Sequence, residues 1–362
     1  MSGTLPSPPW RGAAVSCLLA LGVLTAPAQA APKKPARAAA ADAAPLGGYA
    51  HSEKGRAFAA EWAAERGGDA AWVLRQLAAA RRVAAVQRLV MPPPAGTAKN
   101  WAAYRERFVE PQRVAAGLAW WRQNEAWLAE AEARWGVPPE IVVAIVGVET
   151  YYGRIVGRFR VLDALATLAF DFPTGRSDRS AFFRSELGEF LAWTQREGLD
   201  PTSVTGSFAG AIGLPQFMPG SINRYAVDFD GDGHVVLRGA EGAAPDVVGS
   251  VAHFLAQHGW QAGLPTHYGV RVPVDTADRA FLLGPDIVPT FTAAEFAERG
   301  AELDAAGRLH EGLLALVELQ NGAAAPSYVA GTKNFYVVTR YNWSSYYALA
   351  VIDLAAALRR ER

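Results

Sequence analysis

GVPPEIVVAIVGVETYYGR, residues 136–154, is the stretch on which the fold turns. Pro138 and Pro139 suit the first turn of a helix, and an early Glu140 suits the positive end of its dipole. From Ile141 to Val148 every residue is apolar or glycine, so this helix has no face for water and is expected inside the protein. Glu149 comes next. A carboxyl group taken out of water favours its neutral form, and each unit of upward pKa shift corresponds to about 1.4 kcal/mol. Glu149 is therefore a candidate proton donor at neutral pH. The spacing equally allows it to emerge at the surface and pair with Arg154 or Arg158.

Outward from this helix the pattern stays mostly helical. Ser52 to Leu89 reads as helices anchored by Phe58, Trp62, Trp72, Leu74 and Leu77, with Asp69 placed to cap the second of them. Met91-Pro92-Pro93-Pro94 stops that pattern. A periodic stretch from about Gln112 to Trp135, with Leu118, Trp121, Trp127 and Leu128 at its apolar positions, reads as one further helix. Runs at 268–275, 313–320 (LLALVELQ) and 328–338 are rich in β-formers and predict a small β element. Tyr346 to Leu358 returns to helix. The fold class expected is mainly α, of the α+β kind.

Length and composition exclude several functions. The 362 residues suffice for about two domains, and 51% hydrophobic with 19% charged residues is globular rather than disordered. Thirty-five basic side chains balance 35 acidic ones, so no nucleic-acid partner is expected. A single cysteine forbids an internal disulfide. Six scattered histidines show no zinc-binding spacing.

The amino terminus reads as an address. Residues 13–24, AAVSCLLALGVL, form an apolar run between Arg11 and the small-x-small triplet Ala28-Gln29-Ala30, the pattern of a secretory signal spanning 1–30. A hydrophobic helix of the folded domain is the alternative reading. The run falls short of the roughly 20 residues that span a bilayer, so no transmembrane anchor is expected. Ala14-Val15-Ser16-Cys17 loosely matches a lipid-attachment pattern, which leaves a lipid anchor on Cys17 as a second route; but most of the apolar run follows it, which favours cleavage after Ala30. Residues 31–48 form a Pro/Ala-rich linker.

Two further segments carry chemistry. Gly206-Ser207-Phe208-Ala209-Gly210-Ala211 and Gly213-Leu214-Pro215-Gln216-Phe217 contain small residues that permit close backbone approach, with one hydroxyl and one amide among them. Capping of helices is the alternative role for Ser207 and Gln216. Asp228-Phe229-Asp230-Gly231-Asp232-Gly233-His234 supplies side-chain oxygens at positions one, three and five, glycine at six and the His234 carbonyl at seven, as an EF-hand loop does. Position twelve is Gly239, so an ordinary EF-hand is incomplete. Three unneutralised aspartates in seven residues repel one another, which favours a cation over a solvated Asp/Gly turn.

The segments VPPEIVVAIVGVETYYGR, VLDALATLAFDFP, GSFAGAIGLPQFMPGS and YAVDFDGDGH occur in the order seen in the membrane-bound lytic murein transglycosylase B family, and the chain resembles that family from about Tyr104 to Tyr341-Asn342. The resemblance implies a lysozyme-like catalytic core with an additional helical domain and a small β domain. The activity it implies is cleavage of the β-1,4 bond between N-acetylmuramic acid and N-acetylglucosamine with formation of 1,6-anhydromuramyl ends. Glu149 is then the acid that protonates the leaving oxygen and afterwards the base that takes the muramyl O6 proton. Asp163 and Asp171, the nearest acids downstream, read as structural. A water-using muramidase and a non-catalytic peptidoglycan-binding protein are the alternatives.

By the same resemblance Ser207 and Gln216 line the cleft, and Tyr104 lies in it unless it is ordinary core. Tyr341, Asn342 and Tyr347 return beside the acid, and Arg179 corresponds to one of two arginines that contact muropeptide. The position before it is Asp178, which breaks that pair, and Phe254 stands where relatives carry tyrosine. A later aspartate closes the variant calcium loop, here Asp246, with Glu241 as the rival ligand. Structural Ca2+ is thus the one cofactor implied, held by Asp228, Asp230, Asp232, His234 and Asp246. The expected organisation is a helical domain at 49–135 joined by helix 343–362, a catalytic core at 136–262 with the loop 228–246, a β-containing domain at 263–333 and a returning segment at 334–347. An exported, periplasmic monomer acting on peptidoglycan glycan strands is expected, with other cell-wall enzymes as further partners.

Overall fold

A computed structural model of the chain describes residues 48–92, 98–239 and 242–362. The signal-like run, Cys17, Glu241 and all but the last residue of the linker lie outside the described residues. Fifteen α-helices against six short strands among the described residues make the protein mainly α. No helix among them is long and apolar enough to cross a membrane.

The apolar helix forms at Pro139–Thr150, with proline in its first turn and every residue from Ile141 to Thr150 buried. It lies at the centre of the main core, packed by the carboxy-terminal helix Ser345–Glu361 and by Pro111–Gln123 and Glu125–Trp135. Gly147 has a specific task here. A Cβ at this position would meet the Tyr152 hydroxyl at 2.5 Å, so glycine admits the Tyr152 ring against the helix. Immediately after Thr150 the chain turns through Tyr151 and Tyr152, both left-handed at φ 52° and 57°. Each costs about 1 kcal/mol or more for a residue with a Cβ. The Arg113 guanidinium stacks over Tyr151 at 4.3 Å and donates to the Gly147 carbonyl at 2.6 Å, satisfying an end of the helix buried in the core.

The amino-terminal helices wrap the apolar helix Val161–Phe170. Tyr49 Oη donates to Asp171 Oδ2 at 2.6 Å, and the Arg81 amide donates to Asp163 Oδ1 at 2.9 Å. Asp69 caps Ala70–Ala79 by accepting from the Ala71 amide at 2.7 Å, as its place in the sequence predicts. The stretch 112–135 is not one helix. It breaks at Asn124, whose side chain donates to the Trp120 carbonyl at 2.8 Å, and the chain restarts as Glu125–Trp135.

A four-stranded antiparallel sheet runs in the order Glu302–Leu303, His267–Arg271, Ala324–Gly331, Ala315–Asn321, with Val317 paired to Val329. The edge strand Ala315–Asn321 explains its near-continuous apolar sequence. Ala315, Val317 and Leu319 face the main core, whereas Leu316 joins Tyr268, Leu282, Phe296 and Leu303 in a second, smaller one. The β-rich reading of 328–338 is half right. The strand ends at Gly331, Thr332 caps with its hydroxyl accepting from the Asn334 amide at 3.1 Å, and Lys333–Tyr341 is a helix burying Phe335, Val337 and Val338.

Candidate active site

Glu149 stands on the last turn of Pro139–Thr150 and is 8% exposed. Burial raises its pKa from the usual 4.5 to about 7, and the hydrogen bond from Tyr347 opposes the rise. Tyr347 Oη donates to Glu149 Oε1 at 2.6 Å. Neither Arg154 nor Arg158 pairs with the carboxylate, so the surface reading of Glu149 is excluded. Tyr347 sits in the first turn of Ser345–Glu361, where Ser344 caps the helix, and its ring lies nearly parallel to that of Tyr341, 6.4 Å away. Burial and the nearby Glu149 charge hold both phenols well above their ordinary range, so they donate and do not ionise.

Two hydrogen bonds tie the surrounding loops to the acid. Thr150 Oγ1 lies 3.1 Å from the Leu214 carbonyl and donates to it, and Tyr341 Oη donates to the Pro215 carbonyl at 2.6 Å. Just before these anchors the loop requires Gly213, at φ 75°, where a Cβ would strike the Leu237 carbonyl oxygen at 2.2 Å.

Glu149, Ser207, Gln216, Phe254, Tyr341 and Asn342 line one cleft, together with Phe182, Phe208 and Phe217. Ser207 caps no helix: its Oγ accepts from the Ala209 and Ala211 amides at 3.3 and 2.9 Å, closing a turn. Gln216, left-handed at φ 51°, donates to the Gly213 carbonyl at 2.7 Å, which leaves its amide oxygen for other donors. Phe254 packs between Tyr225, His258 and Tyr341. Tyr104 lines an adjoining pocket with Lys99, Arg107 and Tyr346, and Trp343 borders both pockets. Burial and the Glu149 charge push the Tyr104 phenol up to about 12. Arg179 does not line the cleft. Its guanidinium lies over Phe182 and Phe183, at 4.8 and 5.7 Å, and Phe182 itself lines the cleft.

The same cleft holds residues that sequence reasoning did not single out: Glu186, Arg224, His258, Arg340 and Trp343. Glu186 is buried, and its Oε2 accepts from the Gly220 amide at 2.8 Å. One signal for it was available, because Glu186 interrupts the apolar stripe Phe183, Leu187, Phe190 on the helix Ser180–Arg196.

Asp228, Asp230 and Asp246 bring carboxylate oxygens within 4.8 Å of one another. Asp246 is buried, and its oxygens accept from the Phe229 and Val236 amides at 2.7 and 2.6 Å. Asp232 stands outside this trio, accepting from the His234 amide at 2.8 Å, and the His234 side chain is exposed. The donor set is all oxygen, which suits a hard cation.

A buried acid at a helix end, facing an aromatic cleft, is the arrangement of a glycan-cleaving enzyme. The family model described as a transglycosylase SLT domain matches residues 51–356. The membrane-bound lytic murein transglycosylase B of Escherichia coli (strain K12) is 36% identical over 324 residues, covering 87% of this chain and 85% of the relative. The solved Escherichia coli lytic transglycosylase Slt35 in complex with calcium is 35% identical, with a TM-score of 0.74 over 88% of this chain and 96% of that one. SltB3 from Pseudomonas aeruginosa, solved in complex with NAG-anhNAM-pentapeptide, is 31% identical with a TM-score of 0.67, over 84% of this chain and 78% of that one. The chain belongs to the transglycosylase SLT domain family, and its mainly α fold is that of the lytic transglycosylases, with a lysozyme-like core.

Proposed function

We propose that this lytic transglycosylase cleaves the β-1,4 bond between N-acetylmuramic acid and N-acetylglucosamine of peptidoglycan, with Glu149 acting as acid and then as base. The observation that carries the reading is a buried carboxyl, with its pKa raised to about 7, facing the cleft beside the donating Tyr347. Glu149 gives its proton to the bridging oxygen as the C1–O bond breaks. The muramyl O6 attacks C1, and its proton passes to the Glu149 carboxylate, which restores the acid. Products are a 1,6-anhydromuramyl end and an N-acetylglucosamine with a free 4-hydroxyl.

Two-carboxylate glycosidases need a second acid as nucleophile or to activate water. Asp163 and Asp171 hold backbone and tyrosine partners away from the cleft, and Glu186 is engaged by the Gly220 amide. An intramolecular alcohol held at its target needs no such partner. Mass spectrometry of products from purified sacculi tests this directly. Anhydro ends, one water lighter than hydrolysed ends, are expected. Ordinary reducing ends would establish a water-using muramidase, and sacculi bound without release would leave a binding protein.

The signal-like residues 1–30 support export to the periplasm, and the cleft pockets on both sides of Trp343 suit a glycan strand extending past the cut bond. Asp228, Asp230 and Asp246, with Asp232 and the His234 carbonyl nearby, are further read as a structural Ca2+ site, where the cation would neutralise carboxylates that repel one another. At a hundredfold excess over its Kd, Ca2+ then stabilises the fold by about 2.7 kcal/mol. A rise in Tm with Ca2+, absent in Asp230→Asn, is the expected result; equal Tm values in Ca2+ and chelator would remove the site.

A further inference from the structure

One end of the cleft is a cationic wall that the cleavage chemistry does not use. Arg224, at the end of the helix Pro219–Tyr225, and Arg340, at the end of Lys333–Tyr341, are both exposed and both line the cleft that holds Glu149. The Arg340 guanidinium lies over the Tyr336 and Trp343 rings at 5.8 and 5.2 Å, and Arg224 lies over Tyr225 at 5.7 Å, so aromatic faces hold both side chains in place. His258 stands between them. Its Nδ1 donates to the Phe254 carbonyl at 2.7 Å, and burial together with the charges of Arg340, Lys333 and Arg224 holds it below its ordinary range.

Glu186 and Glu189 are the acids nearest Arg224, and its charge favours the ionised form of both. Glu186 accepts from the Gly220 amide, and Glu189 is paired with Arg66 at 2.6 Å and bonded by Asn223. Among the described residues no carboxylate lies within ion-pair distance of Arg224 or Arg340. Two exposed guanidiniums, neither held in a close ion pair, in a cleft whose other polar groups suit sugar hydroxyls and amides, match an anionic group carried by the substrate.

Resting on the reading of the cleft as a peptidoglycan site, we propose that Arg224 and Arg340 bind carboxylates of the substrate's peptide stem and set a preference for peptide-bearing strands. Guanidinium forks take carboxylates bidentately, which lysine cannot reproduce. A free lactyl carboxylate on a peptide-free strand offers the same chemistry, and a matched set of substrates separates the two sources.

The test measures kcat/KM for the wild type and for Arg224→Gln/Arg340→Gln on three substrates: peptide-bearing strands, the same strands with stem carboxylates amidated, and peptide-free strands. The wild type should prefer the first over both others. In the double variant the preference for peptide-bearing over amidated strands should fall about tenfold, carried by KM, and Arg224→Lys/Arg340→Lys should restore it only in part. Both side chains are exposed, so an unchanged Tm is expected and separates lost recognition from lost folding. A preference that survives the double substitution overturns the proposal, as does a loss confined to peptide-free strands, which would assign the wall to the lactyl group. Product ends are read in the same digests, so a failure of the transglycosylase reading shows there and is not confused with a failure of this one.

Discussion

Glu149→Gln is expected to lose glycan cleavage by on the order of 10³–10⁴-fold while keeping its fold. The amide matches the carboxyl in shape and still accepts from Tyr347, but it has no proton to give at neutral pH. The same substitution should raise stability at alkaline pH. The wild-type carboxyl has a folded pKa of about 7 against 4.5 for the free group. Its contribution to stability is fully present below about pH 4.5 and is lost as pH rises through about 7, because the folded state binds the proton that the unfolded state releases. At pH 8 this costs the wild type about 3 kcal/mol. Denaturant unfolding of both proteins at pH 5 and pH 8 should show the variant gaining at pH 8 and little at pH 5. A variant that retains cleavage would remove Glu149 from the chemistry.

Tyr347→Phe is the second large effect expected. Phenylalanine keeps the ring beside Tyr341 and within the core, so Tm should change little, yet the hydroxyl bound to Glu149 Oε1 is gone. That hydrogen bond fixes which oxygen carries the proton toward the sugar. A hydrogen bond to a charged group is worth about 1.5–3 kcal/mol, so kcat should fall by about ten- to a hundredfold. The pH profile gives a signature that a purely structural role would not. The Tyr347 bond lowers the Glu149 pKa, so its removal should move the alkaline limb of the rate profile above pH 7 even as the rate falls. A slower enzyme with an unmoved limb would make Tyr347 a packing residue only.

What the sequence made legible follows from the range of the interactions involved. The helix Pro139–Thr150 was readable because it is apolar on every side, whereas its pattern left open whether Glu149, at its end, is buried or emerges to pair with Arg154 or Arg158. Tyr347, 198 residues away in sequence, has no local signal that links it to Glu149, and only resemblance to a family placed it there. Lys333–Tyr341 reads as β from its Val and Tyr content because composition does not record the Thr332 cap, which commits the chain to a helix. The break at Asn124 was hidden for a related reason, since the apolar positions on either side stay in helical register. Arg224 and Arg340 look like solvated charges in sequence. Only the cleft reveals that they face the same space as the acid. The three aspartates of the loop were readable at fixed spacing, whereas the convergence of Asp228, Asp230 and Asp246 depends on the helix Ala244–Gln257, which brings Asp246 back to the loop.

The most direct test of a proton-donating Glu149 is its protonation state itself, followed by infrared difference spectroscopy of wild type against Glu149→Gln across pH 4 to 9. A carboxylic-acid carbonyl band assigned to Glu149 that persists to neutrality and titrates near pH 7 is the predicted result. A side chain already fully ionised at pH 5.5 would contradict it.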